Sequence, residues 1–206
     1  MDISLIETLR FEPGTGFVRL ERHLSRLTRS ADALGLPDSE NAGDALSAGV
    51  AIAETALRVR LELFANGRID VQTAAFAPLP ADTVWRVKLA TTRLASDDPL
   101  LRHKTSRRGL YTAARAEFPA GEADEVILLN ERGELCEGTI TSLFLDDGSG
   151  ILKTPPLASG LLAGVLREEL LESGRAVETV LRPEDIEKGD VLVGNSLRGL
   201  IRARLA

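Results

Sequence analysis

Three groups of residues could do chemistry together. Lys104, in Arg102-His103-Lys104-Thr105, carries an amine that attacks a carbonyl only when neutral. It therefore needs a dry or cationic setting, and Arg102, His103, Arg107 and Arg108 could supply positive charge. Glu137, in Cys136-Glu137-Gly138-Thr139, sits at the end of a strand. A carboxylate in an apolar strand needs a partner, because burying it unpaired is costly. The third group is the turn Gly160-Leu161-Leu162-Ala163-Gly164-Val165-Leu166-Arg167. A helix starts near Gly164, yet residues 160–164 contain no Ser, Thr, Asp or Asn to cap it. N–H groups at such a start are open to an anion, which the helix dipole favours.

An amine, a carboxylate and a bare helix start are what a protein needs to hold pyridoxal phosphate. The amine forms a Schiff base with the aldehyde, the carboxylate keeps the ring nitrogen protonated, and the helix start receives the phosphate. Each group also has an ordinary reading when taken alone. Lys104 reads as a solvated loop lysine, Glu137 as a surface strand-end glutamate, and the turn as one satisfied by water.

Further polar residues add to this set. Arg22, Arg26 and Arg29 fall at spacing four and three, on a stripe beside an apolar helix face. One of them could fork onto phosphate oxygens, and a solvated stripe is the alternative. Arg58 and Arg60 share a strand face with Glu62, so they either pair with it or face a substrate carboxylate. Arg107 is a third candidate for that carboxylate. Ser196 follows the strand at 190–194 and could be an extra phosphate ligand. His23 reads as structural. Cys136 has no nearby His or Asp to activate it and reads as a packed thiol. No metal ligands are singled out.

The elements that must position these residues can be read from periodicity. Residues 3–11 form a strand closed by Pro13-Gly14. Leu20, Leu24, Leu27, Ala31 and Leu34 mark one helix face, ended by Gly35 and Pro37. A second helix follows. Leu57, Val59, Leu61 and Leu63 alternate with polar residues in a strand, and Asn66-Gly67 turns it into a hairpin with residues 68–76. Pro78 and Pro80 mark a linker, which places a domain boundary near Ala81. The expected domains are thus a small one at 1–80 and a larger one at 81–206 that carries Lys104. The second domain opens with a strand at 84–92 and a helix at 106–118. Strands follow at 125–130, 140–145 and 151–153, then a helix from about Gly164 to Gly174 and a strand at 190–194. Tight hairpins imply a largely antiparallel α+β fold, not a doubly wound parallel sheet.

Composition narrows the function classes. The chain has 206 residues and a net charge of −6, which gives no electrostatic case for nucleic acid. Its single cysteine rules out an intrachain disulfide and points to a reducing cytoplasm. Met1-Asp2-Ile3-Ser4 lacks the basic and apolar segments of a signal peptide. No apolar run approaches the roughly 20 residues that span a bilayer, so no membrane association is expected.

Taken in order, these pieces resemble the fold-type IV pyridoxal-phosphate enzymes: branched-chain aminotransferases, D-amino acid aminotransferases and 4-amino-4-deoxychorismate lyases. The resemblance runs from Leu5-Ile6-Glu7-Thr8-Leu9-Arg10 and Arg22-His23-Leu24-Ser25-Arg26-Leu27 through Arg102-His103-Lys104-Thr105. It continues with Asp124–Asn130, Gly133-Glu134-Leu135-Cys136-Glu137-Gly138-Thr139 and Thr154-Pro155-Pro156-Leu157. It closes with residues 160–167 and Gly194-Asn195-Ser196-Leu197-Arg198-Gly199. The resemblance implies a two-domain α+β enzyme with the cofactor in the cleft between domains, a homodimer, and a small-molecule substrate. It makes Lys104 the Schiff-base and proton-shuttling lysine, Glu137 the acid at the pyridine nitrogen, and Arg26 the phosphate arginine. Val165 and Leu166 supply backbone amides, and Ser196 a hydroxyl, to the phosphate.

The sequence also departs from that family. No Trp-x-Asn-Gly-like strand or Tyr-Gly-Asp-Gly-like segment precedes Glu7. Ile6 stands where some members have an aromatic, and Ser142 where an asparagine is usual. No Arg-and-His carboxylate trap follows Gly67. The wording Leu-Ile-Glu-Thr-Leu, Arg-His-Lys-Thr and Asn-Ser-Leu-Arg-Gly looks most like the lyases that make p-aminobenzoate and pyruvate. An aminotransferase of branched-chain or D-amino acid type is the alternative, and a non-catalytic ligand-binding relative is a second one.

Overall fold

A computed structural model describes residues 3–206; Met1 and Asp2 of the expected first domain lie outside the described residues. The chain divides into two compact units. One is built from residues up to Pro78 together with His103–Arg107, and the other from Leu79–Arg102 and Arg108–Ala206.

In the first unit, strands β1 (Ser4–Glu12), β2 (Gly16–Phe17), β3 (Leu57–Phe64) and β4 (Ile69–Ala75) form an antiparallel sheet in the order β2-β1-β3-β4. Alternation gives the sheet two unlike faces. Leu5, Leu9, Val59, Leu61 and Leu63 pack on one face against Leu27 and Ala31 of helix α1 (Leu20–Leu34) and Leu46 of α2 (Ala42–Gly49). Thr8, Arg10, Arg58, Arg60 and Glu62 occupy the other face, by the register that pairs Thr8 with Arg60 and Arg10 with Arg58. Gly35 ends α1 in the left-handed conformation at φ 69°, where its N–H closes on Ala31 O. The Asn66-Gly67 turn joins β3 to β4, and Gly67 has φ +83°.

The segment His103–Arg107 returns to this unit because its backbone adds to the edge of β1. Ile6 N–H donates to Lys104 O at 2.8 Å and Ser106 N–H to Ser4 O at 2.9 Å, with Leu5 and Thr105 bridged antiparallel. The sequence reading placed Lys104 with the larger C-terminal domain; its backbone pairing attaches it to β1 instead.

The second unit holds an eight-stranded sheet. Its strands are β5 (Val84–Leu94), β6 (Glu125–Asn130), β7 (Leu135–Gly138), β8 (Ser142–Asp146), β9 (Leu152–Thr154), β10 (Ala176–Glu178), β11 (Asp190–Asn195) and β12 (Gly199–Leu205). They lie in the order β10-β9-β8-β11-β12-β5-β6-β7. A further pairing of β7 with β8, at Glu137 and Ser142, closes six of them into a ring. Most pairs in the two sheets are antiparallel; β5–β6, β5–β12 and β9–β10 are parallel.

Helix α3 (Gly109–Ala116) lies between β5 and β6 in sequence, as a crossover joining two parallel strands must. Helices α4 (Val165–Glu172) and α5 (Pro183–Ile186) complete the unit, and Leu166 and Leu170 of α4 pack on Phe144. Helix α3 starts later than the expected 106 because Ser106 is committed to β1. Among the described residues no helix is long and apolar enough to cross a membrane.

Candidate active site

Lys104 is placed by its backbone. Because Thr105 pairs with Leu5, Lys104 lies opposite Ile6, and its side chain leaves on the helix-free face of the sheet. His103 Nδ1 lies 2.9 Å from Ser30 Oγ of α1, and Ser4 N–H donates to Ser106 Oγ at 3.1 Å. These contacts pin the residues on both sides of the lysine.

The same unit holds Arg26 against Glu7. Arg26 Nε donates to Glu7 Oε1 at 2.8 Å and Nη2 to Oε2 at 2.5 Å, while His23 Nδ1 lies 2.6 Å from Oε2. All three side chains are buried. His23 and Arg26 are neighbours on α1 at spacing three, and Glu7 is the one charged residue on the apolar face of β1. Burial alone would raise the Glu7 pKa. The Arg26 guanidinium and hydrogen bonds from His23 and Arg26 outweigh it and hold the carboxyl at about 2. Burial lowers the His23 pKa, so the ring is neutral at neutral pH and Nδ1 carries the proton given to Glu7. Of the three arginines on the α1 stripe, Arg26 is the buried one, and the sequence had offered His23 only as structural.

In the second unit Glu137 stands where β7 meets β8 and is 4% exposed. Two donors converge on its Oε1: the Tyr111 hydroxyl at 2.7 Å and the Leu162 N–H at 3.1 Å. Burial and then the Glu137 charge push the Tyr111 pKa far up, so its hydroxyl remains a donor. The Arg108 guanidinium carbon lies 4.6 Å from the centre of the Tyr111 ring, and its Nη2 donates to Thr139 O.

The turn after Glu137 is built around a fully buried carboxylate, Glu125. It accepts from Thr139 N at 3.0 Å, Thr139 Oγ1 at 2.5 Å, Ile140 N at 3.0 Å and Thr141 Oγ1 at 2.8 Å. A Cβ on Gly138 would lie 2.7 Å from Glu125 Cδ, so this position has room only for glycine. Cys136 is a packed thiol, as expected. Burial pushes its pKa up, and Sγ donates to Ser159 O at 3.1 Å.

Helix α4 has no side-chain cap. Gly164 is its N-cap, and its first turn closes with Glu168 N–H on Gly164 O at 2.8 Å, so the amides of Val165, Leu166 and Arg167 come before the first intrahelical bond. The side chains of Val165 and Leu166 are buried. Gly194 allows this packing, since a Cβ there would lie 2.9 Å from Leu166 Cδ2. Buried Ser196 belongs to the turn that follows, where Asn195 Oδ1 accepts from Arg198 N at 3.0 Å. The β11–β12 turn is thus packed close to the start of α4.

The three candidate carboxylate arginines differ. Arg60 is held by Glu62 at 2.6 Å. Arg58 is exposed and lies directly across from Arg10. Arg107 is exposed, with its N–H on Thr105 Oγ1 at 3.2 Å.

Sequence reasoning did not single out Tyr111 or Glu125, and it reached Glu7 only through resemblance. A charged residue on an otherwise apolar strand face was a usable signal for Glu7. Tyr111 had only its uniqueness, as the one tyrosine of the chain.

Similarity to known proteins is extensive. The profile of the family described as amino-transferase class IV matches residues 4–206. The crystal structure of a Mesorhizobium loti protein, provisionally named an amino-acid aminotransferase, is 53% identical with a TM-score of 0.97 and is matched over 100% of both chains. A Schizosaccharomyces pombe protein provisionally named an aminodeoxychorismate lyase is 30% identical over 211 residues, covering 98% of this chain and 89% of its own. A Thermotoga maritima protein provisionally named a branched-chain-amino-acid aminotransferase is 32% identical over 185 residues, covering 85% of this chain and 64% of its own. Matched along nearly all of its length, the chain belongs to the class IV aminotransferases, fold-type IV enzymes that are generally dependent on pyridoxal phosphate.

Proposed function

We propose that this enzyme binds pyridoxal phosphate and acts as a 4-amino-4-deoxychorismate lyase, forming p-aminobenzoate and pyruvate. The observation that carries the cofactor is Glu137, a buried carboxylate that takes a tyrosine hydroxyl and a backbone amide on one oxygen. Such a group suits a protonated ring nitrogen. The uncapped start of α4 suits a phosphate, and the close approach at Gly194 keeps the Ser196 turn beside it. The donor set therefore fits the group.

Bound to these residues, the cofactor would supply an electron sink for charge developing at the substrate's α carbon. Lys104 would carry the cofactor covalently, and its Nζ would take up and return the substrate's proton. Glu137 would hold the proton on the ring nitrogen. Arg26, the Val165 and Leu166 amides and the Ser196 hydroxyl would bind the phosphate. Arg58, Arg60 and Arg107 are the candidate contacts for a substrate carboxylate, and of these Arg60 is already held by Glu62. A homodimer is part of the same reading.

The lyase assignment leans on the fission-yeast relative, which is matched over most of both chains. An amino-acid aminotransferase is the second reading, favoured by the name of the Mesorhizobium loti protein. Both use the same cofactor contacts. Purified protein is expected to show a violet-region absorbance that shifts on borohydride reduction and is lost in Lys104→Ala. A protein that stays colourless with added cofactor overturns the reading. Pyruvate release from aminodeoxychorismate, measured against amino transfer from glutamate or branched-chain amino acids to keto acids, decides between lyase and aminotransferase.

A further inference from the structure

Glu137 is not placed by its strand alone. Its carboxylate can turn about the side-chain torsions, and two donors on Oε1 restrain that turn. One is a backbone amide, fixed by the loop before α4. The other, Tyr111, is itself fixed from α3. Arg108 sits one helical turn earlier, lies over the Tyr111 ring, and reaches back to Thr139 O, two residues beyond Glu137. The four residues Glu137, Tyr111, Arg108 and Thr139 form a closed circuit that joins α3 to the turn carrying the carboxylate.

We propose that Tyr111 is a positioning residue for Glu137: its hydroxyl holds Oε1 and so sets how strongly the carboxylate draws a proton shared with a ligand's ring nitrogen. A hydrogen bond donated to a carboxylate withdraws charge from it, so it competes less for a second proton. The proton then stays on the ring. This inference rests on pyridoxal phosphate being the ligand that Glu137 meets.

Tyr111 is the only tyrosine of the chain, so biosynthetic replacement with a ring-fluorinated tyrosine labels this position alone. Fluorination makes the phenol a stronger donor, and Tyr111→Phe removes the donor while keeping the ring. With cofactor labelled with nitrogen-15 in its ring, nitrogen NMR reads the proton directly. Tyr111→Phe is expected to move the ring resonance toward the neutral pyridine position, and the fluorinated protein to move it the opposite way. A displacement in the same direction for both, or none in either, overturns the proposal. If Tyr111→Phe does not fold, as judged by circular dichroism, the fluorinated protein still carries the test: an unmoved nitrogen resonance overturns the proposal. A wild-type protein that takes up no pyridoxal phosphate overturns the cofactor reading instead. Cofactor-free protein then tests the Tyr111 bond by itself: the fluorine resonance must shift in Glu137→Gln, and an unchanged resonance overturns it.

Discussion

Arg26 reaches Glu7 with two nitrogens while His23 occupies the second carboxylate oxygen, so a helix side chain that could sweep widely is locked in one pose. The arrangement is an ion pair out of water, where removing one partner costs far more than the pair contributes net. Glu7→Gln is therefore expected to destabilise the protein by about 3–5 kcal/mol, because it removes the charge of one member of a buried ion pair; the urea midpoint of the variant measures this. Glu137→Gln should behave differently. It keeps its backbone setting, so cofactor stays bound while most turnover is lost, and a steady-state assay on spectroscopically loaded protein checks both. The stripe Arg22, Arg26 and Arg29 was legible as a set, but spacing cannot say which member turns inward. That is decided by Glu7, nineteen positions away in the chain.

Among the elements, those with strong local signals were readable. Helix α1 runs between its first periodic leucine and Gly35, and the Asn66-Gly67 hairpin forms as its turn chemistry dictates. Those set by partners were not. Strand β12 went unread because its place between β11 and β5 comes from long-range pairing. The start of α3 was read three residues early because Ser106 binds Ser4. The turn after β7 depends on Glu125, whose role no local pattern reveals, and this leads to a prediction about Gly138. Gly138→Ala is expected to lower stability by about 1–3 kcal/mol through overpacking against Glu125 and to loosen Glu137 with it. Thermal unfolding and cofactor retention on a desalting column measure the two effects.

At the scale of the whole molecule, acid sensitivity follows from the first unit. Glu7 has its folded pKa at about 2, below the ordinary 4.5, so its stabilising contribution is full above that value and is lost as pH falls toward 2. Integrated, this is on the order of 3 kcal/mol. The His23 pKa is also lowered from 6.5, so folding favours the neutral ring, and its contribution too is lost as pH falls. Both act in one direction. The urea midpoint is expected to drop between neutral pH and about pH 2, and His23→Gln to flatten the upper part of that curve. The α+β class was legible in the sequence, whereas the attachment of Lys104 to β1 was not, since it arises from backbone pairing across about a hundred positions. That attachment makes the lysine's position a matter of counting. Its side chain can be changed without disturbing the hydrogen bonds that hold it, but inserting one residue between Lys104 and Thr105 would turn the amine to the buried face. The segment should therefore resist any change in length.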